Sequence, residues 1–522
     1  MGWTACLDCG STSFESILFA DGRSTADIDR ATQPDIFGDL NLDQIIDSVV
    51  RGRDEYNLRP YFYIPLADTQ AIEYRHAVMR DLERGEVLNS ICQFAAQMRA
   101  MRTELAASQK MHYVLQKQAY FLDAVEKYCG ASLELAHALE QVTPHSTGIA
   151  AFLEYLKRYV QGHAFEELKA EEAGIRAELS KLRYSILIKG SSVTVRRYAG
   201  EVDYSEQVQK IFAKFRQGAV KSHSVDIRDY PEMNHVEANV LNFVAKLHPE
   251  VFEPLDAYCS AHADFLDPVI ARFDREIQFY IAFLEHLSRL RSAGLSFCYP
   301  VVSTQSKTVR SVEGFDLALA EGLRLDNQRI VCNDFYLEGD ERIVVVTGPN
   351  QGGKTTFARS FGQLHYLASI GCPVPGREAQ LYISDRIFTH FERQEDMKNL
   401  RGKLHDDLYR IHNILSRATT ESIIIMNEIF SSTSLKDALF LSQKVMGRIM
   451  DLDALCVYVT FIEELSRSSK QTISMSSEVK GDSVATRTFK VVRRPADGRS
   501  YALSLARQYG LTYEQLRERI RS

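Results

Sequence analysis

The stretch VVVTGPNQGGKTTFAR, Val344 to Arg359, constrains this chain more than any other segment in it. Gly348, Gly353, Lys354 and Thr355 fill the pattern G-x-x-x-x-G-K-[ST], directly after an apolar run and directly before the helical TTFARSFGQLHYLASIG. A strand, a glycine-rich loop and a helix must therefore follow one another here. Glycines let the loop backbone fold around phosphate, and the loop amides with the helix N-terminus supply positive potential. Lys354 is placed to reach the β- and γ-phosphates, and Thr355 to offer its hydroxyl to magnesium. Pro349, Asn350, Gln351, Gly352 and Thr356 complete the predicted contact set. A glycine-rich turn that merely started a helix would leave the placement of Lys354 unexplained.

About seventy residues on, SIIIMNEIFSSTS supplies a second buried strand ending in an acidic turn. Such a strand end brings one acid toward magnesium and another toward the attacking water. Glu428 suits the second role. Asn427 stands in the first position without a charge, so it acts there only as a neutral group holding a metal-bound water. As a plain turn residue Asn427 is equally at home, because its side chain caps turns.

At 522 residues, two or three domains are expected. Hydrophobic content of 45% and charged content of 25% are those of a globular protein, and no apolar run is long enough to span a membrane. MGWTACLDCG has neither a basic leader nor an apolar core, so the expected location is cytoplasmic, with no membrane partner. Seven of the nine cysteines are scattered singly, which excludes a secreted disulfide framework; Cys6 and Cys9 form one C-x-x-C that lacks a second pair for zinc. Net charge is −7, so bulk electrostatics does not draw the chain to nucleic acid, and any such contact needs a local basic surface.

From Thr69 to Leu182 apolar residues recur three and four apart, predicting long helices with breakers near 129 and 145. YSILIKGSSVTVRRY, Tyr184 to Tyr198, changes to β character around KGSS and predicts a hairpin. Helices resume with SEQVQKIFAKFRQGA and continue to about 295. Thereafter RIVVVTG, SIIIMNEI and ALCVYVTF alternate with helices, the sign of a parallel sheet. The expected fold class is multidomain α plus α/β: a short segment 1–30, a long-helix core and lever body 31–295 with a small clamp-like β hairpin near 184–200, and a P-loop (ABC-type) α/β ATPase domain 296–522.

TGPNQGGKTT resembles the P-loop of the MutS family of mismatch-repair ATPases, T-G-P-N-x-x-G-K-S/T, and other matches follow in family order. VCNDF resembles the family's segment beside the adenine, which implies that Ile330, Val331 and Asn333 line a base pocket. IGCPVPG, DRIFTHF, NEIFSSTS and DGRSYALSLARQYGL are similar to later family segments. YIPLADTQAIEYRHAVMRDLE looks like the entry into the family's lever helices, and the hairpin lies where the family inserts its DNA clamp. Lys189, Arg196 and Arg197 suit phosphate contact there; they equally suit an edge strand defended by charge. The resemblance implies ATP and Mg2+ as cofactors, duplex, mismatched or branched DNA as partner, and a homodimer with composite ATP sites.

Departures from the family pattern sharpen the expectation. The family's N-terminal mismatch-reading domain with its F-x-E wedge is not expected, nor a C-terminal Smr-type nuclease. Phe461 stands where the family has a γ-phosphate-sensing histidine. Gly402, Lys403 and Leu404 replace its signature Ser-Thr-Phe, where Lys403 either brings a charge to a partner's phosphate or is a solvated loop lysine. The expected function is a slow ATPase, with Glu428 and Lys354 catalytic and Thr355 and Asn427 at the metal, gating DNA engagement in repair or recombination. The alternatives are a nucleotide-gated structural module with little hydrolysis, and a P-loop ATPase acting on protein or membrane.

Overall fold

A computed structural model of the protein describes residues 14–20, 22–190, 192–202, 204, 233–325, 328–392, 402–479, 487–495 and 511–521. Cys6 and Cys9, the helical stretch expected at 205–219, Leu400 and Arg401, and the closing segment 497–510 lie outside the described residues. Along the chain come α1 (Ile36–Leu40), α2 (Gly85–Lys110), α3 (Val114–Val142), β1 (Tyr184–Lys189), β2 (Ser192–Arg197), α4 (His235–Leu247) and α5 (Pro249–Ala261). They are followed by α6 (Leu317–Leu325), β3 (Asn333–Leu337), β4 (Ile343–Thr347), α7 (Lys354–Ser369), β5 (Ile387–His390) and α8 (Lys403–Arg417). Then come β6 (Ile423–Asn427), α9 (Leu435–Asp451), β7 (Leu455–Val459), β8 (Thr472–Val479) and β9 (Arg487–Arg493). The architecture is mixed helix and sheet, and it divides into two compact units that are each discontinuous in sequence.

The first unit takes the described residues of 84–144 and 149–274, with Phe14. Its axis is the pair α2 and α3. On α2 the buried side chains Val87, Ile91, Phe94, Met98 and Met101 recur three or four residues apart, so a single apolar stripe faces the neighbouring helix. The breaker expected near 129 does not break anything: α3 runs through Cys129 and Gly130, because Tyr128, Cys129, Ser132 and Leu135 are all buried and their packing outweighs the glycine. The chain does break at Thr143, whose left-handed backbone ends the helix. β1 and β2 form an antiparallel two-stranded hairpin, with Ile188 opposite Val193 and Gly190 at φ 61° in the turn. Arg197 of β2 turns back onto α4 and α5, donating to the Leu247 carbonyl (2.8 Å from Nε) and pairing with Glu250.

The second unit takes residues 15–83, 145–148 and 275–522. Its centre is a six-stranded sheet in the order β5, β6, β7, β4, β8, β9, parallel except for the antiparallel β9. Every residue of β4, β6 and β7 is buried, which explains their unbroken apolar character: both faces are covered. α8 and α9 supply Ile411, Ile414, Met446 and Ile449 to one face. α7 lies on the other, and Gly362 lets it come close: a Cβ there would sit 2.8 Å from Ile425 and 2.6 Å from Leu40 of α1. A separate four-stranded sheet contains β3, which carries Asn333. Because β4 lies inside the main sheet, the loop that leaves its C-terminal end opens between neighbouring strands. No helix among the described residues is long and apolar enough to cross a membrane.

Candidate nucleotide-binding site

The loop from β4 to α7 can only be made with glycines. Gly348 has φ 126° and Gly353 φ 91°, regions closed to residues with a Cβ. Space forbids a side chain as well: a Cβ on Gly348 or Gly352 would lie 2.8 Å from Ser477, and one on Gly353 3.1 Å from the Phe489 carbonyl oxygen. Gly353 is also the N-cap of α7 and has no side chain to satisfy the first helix amides. The helix start is thus left with donors aimed at whatever occupies the loop.

Lys354, buried, folds back over the loop. Its Nζ donates to the Gly348 carbonyl (2.9 Å) and lies 3.4 Å from both the Pro349 carbonyl and Asn350 Oδ1. It also pairs with Glu428 Oε1 at 3.3 Å. Thr355, the next residue of α7, donates from Oγ1 to Asn427 Oδ1 at 3.1 Å. The ends of β4 and β6 therefore bring together four residues some seventy positions apart in sequence: Lys354 with Glu428, and Thr355 with Asn427. Glu428 has φ 54°, which a residue with a long side chain adopts only when its surroundings impose it. Its N–H still continues the ladder to the Val459 carbonyl (2.9 Å), so the left-handed turn falls directly after β6, and the carboxylate lies against Lys354.

A cavity of about 410 Å³ opens at this point. Gln351, Gly353, Lys354, Thr355, Thr356 and Glu428 line one end, with Val331 and Asn333 at the other. Gly348, Pro349, Asn350 and Gly352 build the loop beneath it without lining it, and Ile330 is half-buried outside it. Asn333 is held by the Val491 N–H, which donates to its Oδ1 at 2.7 Å. The sequence reading missed Leu319 and Leu323 of α6, Gln328, Arg329 and Phe489 of β9. The four-residue spacing of the two leucines marks one helix face, but nothing local says which cavity that face meets. Phe489, half-exposed at φ 56°, carries no sequence signal at all.

Ser477 at the end of β8 and Thr347 at the end of β4 hold buried hydroxyl oxygens with no hydrogen-bond partner among the described residues. A glycine cradle, a buried lysine, orphaned hydroxyls at its base and an apolar far wall fit a nucleoside triphosphate. The metal position is less charged. Thr355 and Asn427 offer two neutral oxygens, and Glu428 is the one carboxylate among the described residues lining the cavity, so the site fits a cation that keeps its water shell.

Two further sequence-predicted positions stand away from the cavity lining. Phe461, two residues past β7, is about half exposed. Lys403 begins α8 behind its N-cap Gly402 and pairs with Glu392, so it is an ion-paired helix residue.

Residues 344–518 match the family model of MutS domain V. Over this segment, about a third of the chain, the sequence is similar to the MutS family. Domain V is the ATPase domain of MutS proteins, and the matched segment starts in β4 and spans the P-loop, Asn427 and Glu428. The DNA mismatch repair protein MutS of Thermotoga maritima is 27% identical over 298 residues, which are 54% of this chain and 35% of that protein. The MutS proteins of Erythrobacter litoralis (29% over 228 residues, 42% of this chain and 26% of the relative) and Zymomonas mobilis (30% over 207 residues, 38% and 24%) are similar. The chain thus spans about a third or less of the length of these MutS relatives.

Proposed function

We propose that this chain is a MutS-like, ATP-dependent DNA-binding protein whose slow ATP hydrolysis gates engagement of mismatched or branched DNA in repair or recombination. The observation that carries the reading is the paired arrangement at the loop: Lys354 against Glu428, and Thr355 against Asn427, beneath the cavity. Lys354 and the loop amides hold the triphosphate, Thr355 and Asn427 organise magnesium through its water, and Glu428 polarises the attacking water. When phosphate enters, Lys354 exchanges the Gly348 carbonyl and Glu428 for phosphate oxygens, which releases the Glu428 carboxylate to act as base. Bound magnesium supplies charge neutralisation between the phosphates. In this reading the unit built on α2 and α3 forms the lever body with its clamp-like hairpin and the unit built on the six-stranded sheet the P-loop ATPase domain, acting as a homodimer with composite ATP sites.

Slowness follows from the charge missing at Asn427 and from Phe461, which has no proton to offer a γ-phosphate. These same two residues favour a second reading, a nucleotide-gated module that binds ATP and scarcely hydrolyses it. Steady-state ATPase assays on the full chain and on Glu428→Ala, with no DNA and with duplex, mismatched and branched DNA, separate the two. Turnover that DNA stimulates and that Glu428→Ala abolishes, with ATP binding retained, supports the ATPase. Turnover unchanged in Glu428→Ala overturns the assignment of the base.

A further inference from the structure

A second cavity, about 740 Å³, lies along the outer edge of the main sheet. β5 is the terminal strand, so its outward side is paired with no other strand of the described sheet. The Ile423 N–H donates to the Arg386 carbonyl (2.9 Å), and β5 runs in parallel register with β6 from Ile387 opposite Ile423 to His390 opposite Met426. Successive residues of a strand present their backbone groups to opposite sides, so Arg386, Phe388 and His390 turn theirs toward β6. Ile387 and Thr389 turn theirs outward, and both line the cavity.

The cleft has two walls of opposite charge. One is α8, with Arg417 and Arg410, joined by Arg386 at the start of β5. Arg386 and Arg417 both lie over the ring of Phe388, at 5.8 and 5.6 Å, and among the described residues neither is ion-paired to a carboxylate. Two arginines elsewhere in this unit do have such partners: Arg342 holds Asp453 at 2.7 Å and Arg493 pairs with Glu341. The other wall is α1, where Asp35 occupies the N-cap without accepting a helix amide and Asp39 accepts from the Thr389 hydroxyl at 2.7 Å. Asp385, at the foot of the cleft, is occupied by the Thr419 and Ser422 hydroxyls.

We propose that this cleft receives an extended segment of a partner protein, added to the sheet beside β5, with side chains alternating acidic toward α8 and basic toward α1. An added strand supplies the backbone groups that Ile387 and Thr389 present outward, and its period of two sends neighbouring side chains to opposite walls. An acidic side chain there meets Arg386 and Arg417, and the next residue meets Asp35. The five parallel strands deliver the P-loop at their C-terminal ends, while Arg386 stands at the N-terminal end of β5, so the two sites are separate and can be tested apart.

The test uses the full chain and a fluorescein-labelled hexapeptide of alternating glutamate and lysine, read by anisotropy at low salt. Its comparators are the isomer with three glutamates followed by three lysines, which has the same charge, and the alternating peptide N-methylated at every second residue. Both comparators should bind at least ~10-fold more weakly, as should the alternating peptide to Arg386→Glu/Arg417→Glu. That double variant should keep its Tm and its affinity for a fluorescent ATP analogue, which shows that it is folded. Equal binding of the alternating and block isomers, absence of binding up to millimolar peptide, or displacement of the peptide by inorganic phosphate alone would overturn the proposal.

Discussion

Asn427 is the residue at which this site departs most from a fully charged P-loop enzyme, and its neighbours show what the change does. Its Oδ1 accepts from Thr355, so the position still orients a hydroxyl, but it adds no negative charge to offset a divalent cation. Asn427→Asp should therefore lower the magnesium concentration for half-maximal activity by roughly 10-fold and raise turnover, since a group that supports a metal is worth about that much. A magnesium titration of ATPase activity checks it, and an unchanged midpoint would place Asn427 away from the metal. Lys354→Met should weaken binding of a fluorescent ATP analogue about 100-fold or more, because charge-assisted contacts to phosphate are lost in a buried setting. The same substitution leaves Glu428 without its partner at 3.3 Å.

At the scale of elements, α7 decides how the P-loop is held. It is buried along nearly its whole length, and its close approach to β6 and α1 depends on Gly362. Gly362→Ala removes helix-destabilising glycine but drives a methyl into Ile425 and Leu40, so overpacking should win and stability fall by about 1–3 kcal/mol, read as a lower Tm. His365 on the same helix is buried, with Nδ1 2.8 Å from the Phe361 carbonyl, and burial pushes its pKa down to about 4. His76 and His286, also buried in this unit, are pushed down to about 4 by the same cause. Each is neutral in the native state and takes a proton more readily when unfolded. Their contribution is therefore complete above the unfolded value of about 6.5 and is lost as pH falls from there toward 4. Tm measured between pH 7 and pH 4.5 should drop, and His365→Gln should flatten that drop.

For the whole molecule, a net charge of −7 means that attraction to DNA, where it occurs, is local. Of the three basic residues on the hairpin, Arg197 is committed to Leu247 and Glu250 within its own unit. Lys189 and Arg196 are exposed on the hairpin. The double variant Lys189→Glu/Arg196→Glu should thus reduce salt-dependent retention on DNA and leave Tm unchanged. Arg197→Ala should lower Tm, because it unties β2 from α4 and α5. If DNA retention survives the double variant at every salt concentration, the hairpin is not the contact.

Much was legible in the sequence because it is local. The phosphate loop is a run of neighbouring residues, β4, β6 and β7 announce burial on both faces by their composition, and the hairpin shows in its change of period. The sequence by itself also determined the chemical types that meet, a lysine and threonine at the start of α7 and Asn427 with Glu428 at the end of β6. Only the tertiary structure decided that Glu428 bends through a left-handed backbone onto Lys354, and that α6 and Phe489 complete the cavity's lining. It likewise carried α3 through Gly130 and gathered residues 15–83 with 275–522 into one unit. The physical reason is that periodicity and propensity report each segment's own preferences. Which distant segments meet is set by the summed burial of surfaces far apart along the chain, and that sum exists only once the chain has folded.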